Sequence, residues 1–200
     1  MVSTNYLKIP QKRIGVLIGS NGEIKRKIEN LTQTILDIDS SEGTIAISPK
    51  EDMEDPLGVW KTNKIIKAIG RGFSPELSFK LNEDDIYLEV IKLSDYLGKS
   101  KKALSRYKGR IIGRDGKTRD TIIKMGEVSL VVYGKTVSII GTIENVLIAK
   151  EAVEMILNGS RHKSVYSFLE HKHQDKKLKE FRNVVGLDKE EKIEFRTDNI

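Results

Sequence analysis

The feature that most constrains this chain is an internal repeat. The segment Ile18-Gly19-Ser20-Asn21-Gly22 returns as Ile112-Gly113-Arg114-Asp115-Gly116, an offset of 94 residues. At the same offset Ile28 meets Ile122, Leu36 meets Leu130, Ile38 meets Val132 and Ile45 meets Ile139, so the register runs for about 30 residues without a gap. Two glycines three apart recur by chance and usually mark only a turn between helices. Two glycines that carry matching apolar positions with them mark a duplicated unit. The 200 residues therefore divide into two small domains, each long enough to bury a modest core.

Both units read alike. In the first, Tyr6 to Ile9 is a short strand ended by Pro10, and a short helix from Gln11 to Ile18 leads into the glycine loop. Ile24, Ile28 and Leu31 repeat at helical spacing over Glu23 to Leu31. Ile35 to Asp39 and Thr44 to Ser48 read as strands joined at Glu42-Gly43, and a helix around Trp60 to Ile69 is stopped by Gly70 and Gly72. The acidic insert Pro49 to Gly58 is a loop. Ser74 to Leu81 follows as a short linking helix, with Ser74 as N-cap and Pro75 at the first helical position. In the second unit Ile86 to Leu93 is a strand, and a basic stretch from Lys99 to Ile112 enters the second loop. A helix covers Lys117 to Met125 and ends at Gly126. Val128 to Tyr133 and Thr136 to Ile140 form a hairpin around Gly134. Ile143 to Leu157, with apolar residues at 143, 146, 147, 153, 156 and 157, is an amphipathic helix. The tail shows a helical pattern from Ser164 to Phe181, and residues 182–200 hold too little apolar material to pack.

A glycine loop between two helices lets backbone amides approach a phosphate chain that side chains would hold away. The helix that starts at the loop turns its free N–H groups and positive dipole end toward the same phosphates. Strand, helix, glycine loop, helix, strand, strand, helix is the order of the type I KH fold, which clamps about four nucleotides in this way and reads bases beside the loop. The expected fold class is thus α+β: two tandem type I KH domains, each β-α-α-β-β-α with a three-stranded antiparallel sheet and helices on one face, plus a C-terminal helical tail. Domain 1 spans 1–73, domain 2 spans 74–160 including the linking helix 74–81, and 161–200 is a C-terminal helix and charged tail.

Charge ranks the two loops. The net charge is +6, but residues 99–124 hold ten Lys or Arg against Asp115 and Asp120, whereas residues 37–55 hold seven acids and one Lys. The expected RNA-binding set is Lys108, Arg110, Ile112, Gly113, Arg114, Asp115, Gly116, Lys117, Thr118 and Arg119 in domain 2, and Ile18, Gly19, Ser20, Asn21, Gly22, Lys25 and Arg26 in domain 1. Each added phosphate contact contributes about 0.7 to the salt slope on single strands. Asp115 departs from a neutral or basic loop and weakens phosphate approach, with Arg114 offsetting it. Tyr107 and Tyr133 are candidates for base stacking.

Other chemistries find little support. Gly116-Lys117-Thr118 resembles the end of a Walker loop, but the glycine that motif needs at position 111 is Ile111. His162, His171 and His173 fall in one tail segment without a thiol or a well-spaced acid, and read as a solvated face. Asp37 and Asp39 alternate with Leu36 and Ile38 and belong to an exposed strand face. Trp60 and Phe73 read as core or as cover for the linking helix. With no cysteine there is no disulfide framework and no thiolate zinc site. No apolar run is long enough to cross a bilayer, and Met1 to Pro10 lacks a signal-peptide core. The expected protein is cytoplasmic and non-enzymatic, with no cofactor, metal, membrane or small-molecule substrate.

Beyond the loops, longer blocks resemble one family. They are Arg71 to Glu76, Asp84 to Val90, Lys108 to Arg119, and Asn158-Gly159-Ser160-Arg161-His162-Lys163-Ser164-Val165-Tyr166-Ser167-Phe168-Leu169-Glu170. The last block is no general KH feature. Together they resemble archaeal KH proteins of pre-ribosomal RNA processing, relatives of the eukaryotic Pno/Dim/Krr group, over roughly residues 4–170. The resemblance implies a non-catalytic factor that binds single-stranded RNA near the 3′ end of small-subunit (16S) ribosomal RNA, mainly through domain 2, and works with a PIN-domain endonuclease. Eukaryotic relatives carry a degenerate first domain, whereas Gly19 and Gly22 are retained here. The alternatives are a protein–protein adaptor on KH folds, docking a basic partner on the acidic 37–55 segment, or a general KH RNA-binding regulator.

Overall fold

The structure is a computed structural model that describes residues 4–98 and 100–185. The first unit runs β1 (Asn5–Lys8), α1 (Ile14–Ile18), α2 (Glu23–Thr32), β2 (Thr34–Asp39), β3 (Thr44–Pro49) and α3 (Gly58–Gly70), with a 3-10 turn at Gln11–Arg13 feeding α1. After α4 (Pro75–Phe79), the second unit runs β4 (Ile86–Lys92), α5 (Leu93–Leu97), α6 (Lys101–Ile112), α7 (Lys117–Gly126), β5 (Ser129–Tyr133), β6 (Thr136–Thr142) and α8 (Ile143–Leu157), and α9 (His162–Val185) closes it. The two sheets are antiparallel, in the orders β1-β3-β2 and β4-β6-β5. The α+β class and the type I order expected from the repeat are both present.

Side-chain alternation builds each core. Leu36, Ile45 and Ile47 turn inward from the first sheet onto Leu17, Ile28, Ile65, Ile66 and Ile69, all fully buried. Leu130, Val137 and Ile139 do the same in the second, against Ile111, Ile122, Val153 and Ile156. A buried hydroxyl chain fastens the first unit. Thr32, Thr34 and Thr62 bond one another at 2.7–3.0 Å, while Thr32 also donates to the Ile28 carbonyl and Thr62 is placed 2.9 Å from that of Gly58.

The units share a seam. Ile140 of β6 joins the first core, with Phe73 and Leu81 buried beside it. Arg13 donates to the carbonyls of Ile69 and Phe73, and its guanidinium lies 6.0 Å from the centre of the Tyr133 ring. A Cβ on Gly72 would stand 3.0 Å from that of Tyr133. Lys61 of α3, nearly buried, meets Asp55 at 3.0 Å and Asp84 at 2.9 Å, so the acidic insert and the turn before β4 are tied to one cation. These hydrogen bonds, Asp84's first, raise the Lys61 ammonium above its ordinary pKa.

Several expectations change. The repeat does contain a gap. Leu36 pairs with Ile47, but Leu130 pairs with Ile139, so the second hairpin is two residues shorter and Ile139 corresponds to Ile47, not Ile45. A shift of two keeps every strand residue on its own face, which is why the apolar pattern concealed it. Trp60 is exposed, with the Lys64 ammonium 3.8 Å from its ring centre, while Phe73 is core. Leu31, Ile143 and Leu147 are also exposed; the buried stripe of α8 runs instead through Val146, Ala149, Ala152, Val153 and Ile156. Small alanines, not the large Ile143 and Leu147, face the second core. A short helix, α5, precedes the basic stretch, and α6 begins at a Ser100 cap that accepts from the Ala103 amide. Gly126 is the last residue of α7, not its stop. Glu127 takes the left-handed turn, as Gln33 does after α2, both at φ 51°.

The tail helix is longer than its apolar pattern implied and is no mere appendage. Val165 and Leu169 are fully buried in the second core, whereas Leu178, Phe181, Val184 and Val185 are exposed. Glu127 accepts from Lys176, which also donates to Asn145 at 3.1 Å and so fixes the middle of α9. The Lys176 ammonium pulls the Glu127 carboxyl below its ordinary pKa. Of the tail expected to be unpacked, residues 186–200 lie outside the described residues.

Candidate nucleic-acid interface

The two loops have nearly the same backbone. Gly19 and Gly113 take φ 72° and 77°, Asn21 and Asp115 take 50° and 51°, and Gly22 and Gly116 take 77° and 79°. Three of five residues in each loop thus need the left-handed side of φ space, which glycine enters freely and Asn or Asp tolerates better than other residues. This gives Asp115 a reason that charge alone could not supply. It is the acidic counterpart of Asn21, chosen for backbone conformation at a position where most side chains are strained.

The glycines of each pair serve different ends. A Cβ on Gly19 would come within 2.4 Å of the Ile24 side chain, and one on Gly113 within 2.3 Å of Thr118 Oγ1 and 2.7 Å of its amide. The first glycine is required by the protein itself, for the next helix to start flush against the loop. At Gly22 a Cβ would meet only the Arg26 guanidinium, at 3.3 Å, and at Gly116 it would meet the Arg119 guanidinium at 3.2 Å and the Asp120 carboxylate at 3.5 Å. The second glycine is bordered by the ends of flexible charged side chains, an arginine at each loop, which can swing to meet a phosphate. The arginines stand four and three residues after their glycine, so the two loops reach the same geometry from different register positions.

Of the expected residues, Arg114, Asp115 and Lys117 are exposed around the second loop, and Ser20, Asn21 and Arg26 around the first. Arg119 pairs with Asp120 at 2.9 Å, and Lys25 stands 3.8 Å from Glu29. Ile18 packs on the first core, and Ile112 is half-buried at the loop entrance. Three expectations are corrected. Thr118 is buried, its hydroxyl 2.8 Å from that of Tyr166, so it braces the loop from below instead of facing RNA. Arg110 donates to the carbonyls of Ile156 and Ser160 at the end of α8, and so caps a helix. Lys108 shares a cleft with Lys101, Leu104, Ser105, Gly134 and Lys135, beside the hairpin turn instead of at the glycines. A basic run in sequence is split by helical geometry into faces.

The histidines need correcting too. His171 is exposed, but His162 is half-buried, its Nε2 2.9 Å from the Arg110 carbonyl and its ring stacked on Tyr166. His173 Nδ1 is buried and 3.8 Å from Glu127. The block from Asn158 to Glu170 is therefore a buttress. Its Ser160, His162 and Tyr166 hold the end of α6 and the start of α7, between which the second loop hangs. Of the stacking candidates, Tyr107 is flanked by Arg106 and Arg110 guanidinium groups at 5.1 and 5.3 Å from its ring centre, and Tyr133 is taken up by the seam. Among the described residues no group of His, Asp and Glu is placed to hold a metal ion, and no helix is long and apolar enough to cross a membrane.

Comparison with known proteins agrees with this geometry. Residues 4–55 match the KH domain family, and residues 87–174 match a second-domain family described as eukaryotic-type KH domain, type I. A KH domain-containing protein of Methanocaldococcus jannaschii is 46% identical over 179 residues, covering 90% of this chain and 78% of that one. The pre-rRNA-processing protein PNO1 of Coccidioides immitis is 29% identical over 126 residues, 62% of this chain and 49% of its own length. The chain therefore spans about half of that relative. Among solved structures, the Dim2p chain in a complex of a/eIF2α, aDim2p and rRNA from Pyrococcus horikoshii superposes with a TM-score of 0.81 at 48% identity, covering 86% of this chain and 95% of that one.

Proposed function

We propose, from the premise that this chain belongs to the family of KH-domain proteins that includes archaeal Dim2p and the PNO1-type pre-rRNA-processing proteins, that it binds single-stranded RNA in the maturation of small-subunit ribosomal RNA. It is a non-catalytic, cytoplasmic factor that sits near the 3′ end of 16S rRNA and works beside a PIN-domain endonuclease. Domain 2 is the main reader. The observation that carries this reading is the second loop: Gly116 stands at the N-terminus of a ten-residue helix, beside an Arg119 guanidinium that Asp120 holds, with Arg114 and Lys117 exposed next to it. The helix N-terminus and the exposed cations Arg114 and Lys117 lie together at the loop, which suits a phosphodiester. The first loop has the same backbone but uncharged Ser20 and Asn21 between its glycines, and contributes less.

The adaptor alternative finds less support. Of the acids in 37–55, Asp39 caps its own turn through Ser41 and Glu42, Glu42 pairs with Lys8, and Asp55 holds Lys61. These are occupied by the fold. Crosslinking followed by sequencing of the bound RNA tests the proposal. Reads concentrated at the 3′ end of 16S rRNA, lost when Arg114 is reversed in charge, are the expected result. Reads scattered over unrelated transcripts would reject the ribosomal assignment.

A further inference from the structure

One residue distinguishes the two grooves more sharply than the loops do. β2 and β5 are edge strands, so their outward amides are not used by the sheet. In a KH groove this edge lies beside the loop, and unpaired backbone groups there meet the edges of bases. In the second unit, the outward amide of Leu130 has no acceptor among the described residues. The helix residue facing it in the repeat, Ile123 on α7, is apolar and packs on the core. In the first unit the matching amide belongs to Leu36 and the matching helix residue is Glu29. The Glu29 carboxylate accepts from the Leu36 amide at 2.8 Å, with Lys25 3.8 Å from the same oxygen. The Glu29 side chain is only 17% exposed, so it lies in the groove instead of over it.

We propose that Glu29 is a built-in stopper: its carboxylate occupies the β2 amide that a nucleobase would bind, closing the first groove to bases while its glycine loop stays open to phosphate. This rests on the reading of the chain as an RNA binder and sharpens it. A carboxylate offers the amide what a base carbonyl or ring nitrogen would offer. It also sets a negative charge beside the path of the phosphates. A competing base must displace a charge-assisted hydrogen bond and leave a carboxylate in the groove without that partner, which is costly. Domain 1 is therefore limited to sequence-independent backbone contact, and domain 2 carries base selection.

The test is made in the full chain bearing Arg114→Asp, so that the second loop is weakened and the first contributes a larger share of the binding. Glu29→Ile supplies the domain 2 residue, and Glu29→Gln keeps a carbonyl acceptor while removing the charge. Anisotropy of a short labelled single-stranded RNA should show Glu29→Ile binding about tenfold tighter than its parent, the scale of a hydrogen bond regained and a like charge removed. Glu29→Gln should gain less than about threefold. Amide exchange at Leu36 should be slow in the parent and in Glu29→Gln and fast in Glu29→Ile. Equal gains from Ile and Gln would overturn the stopper in favour of simple repulsion, and no gain from Ile would overturn it outright. If circular dichroism shows Glu29→Ile unfolded, Glu29→Ala carries the same expectations. A chain with no RNA affinity before any substitution would instead refute the proposed function, and a gain by Glu29→Ile in that chain would still support the stopper.

Discussion

Arg114→Asp converts the second loop to Gly-Asp-Asp-Gly by a single change, because Asp115 already stands beside it. Arg114 is exposed and is not among the residues with positive φ, so Asp fits there without backbone strain and both glycines are untouched. The loop's local charges are Arg114, Asp115 and Lys117, with Arg119 partly neutralised by Asp120. The substitution moves that sum by two units. Two unit charges about 4 Å apart in water interact by about 1 kcal/mol, so losing one attraction and gaining one repulsion costs about 2 kcal/mol at low salt. A Debye length of about 8 Å at physiological salt reduces this to about 1.2 kcal/mol. The dissociation constant should therefore rise by roughly 8-fold to 30-fold, more at low salt. The slope of log K against log salt should shrink by about 0.7 for the lost contact. Fluorescence anisotropy on single-stranded RNA between about 50 and 200 mM salt measures both, and the melting curve should not move. A change in Kd below about threefold with an unaltered salt slope would refute the loop as a phosphate clamp.

Other outcomes follow from the same geometry. Gly113→Ala, which drives a Cβ into the Thr118 amide, should destabilise the chain by about 2 kcal/mol or more in urea unfolding, and Gly116→Ala, opposed mainly by its φ, by about 1 kcal/mol. Tyr166→Phe should cost about 1 kcal/mol of stability and should weaken RNA binding without removing any exposed group; unchanged affinity would show that the loop needs no brace. Thr62→Val, which strips the buried hydroxyl chain of its link to α3, should lower stability by about 1–3 kcal/mol in the same assay. Glu127 has a lowered folded pKa, so its contribution is present above the ordinary value of 4.5 and is lost as pH falls through the folded value. The stability gap between the parent and Lys176→Met, followed by melting against pH, should shrink below about 4.5 and stay level above it.

Much of the fold was legible because it rests on local periodicity. The Gly pairs, the helix after each, and the hairpins all follow from spacing that a strand or helix imposes on its own residues. What was hidden depends on which elements meet. Trp60 has the side chain of a core residue, but α3 turns it to solvent, whereas Phe73, three residues past the end of α3, is fully buried. Ala149 and Ala152 carry little hydrophobic weight in a pattern, yet both are fully buried in the second core. The two-residue difference between hairpins was invisible because both registers satisfy the same alternation. In the site, the glycines and Arg114 were readable from sequence. Arg110 and Thr118 were misassigned because a run of basic residues says nothing about which face of a helix each occupies. Glu29 looked like one more polar residue on a helix, and only the crossing of α2 over β2 brings it to an amide seven residues away.

The hydroxyl contact between Thr118 and Tyr166 has a thermodynamic corollary. Thr118 lies directly behind Gly113, and Tyr166 belongs to α9, so loop and tail share one joint. Linkage is reciprocal: whatever orders the loop orders the tail by the same free energy. RNA seated on Gly113–Gly116 should hold α9 down, and a protein that grips the docked form of α9 should raise RNA affinity by an equal factor without touching a nucleotide. The tail thus becomes a handle on the site: any partner that grips α9 acts on the loop from a distance, through this one joint.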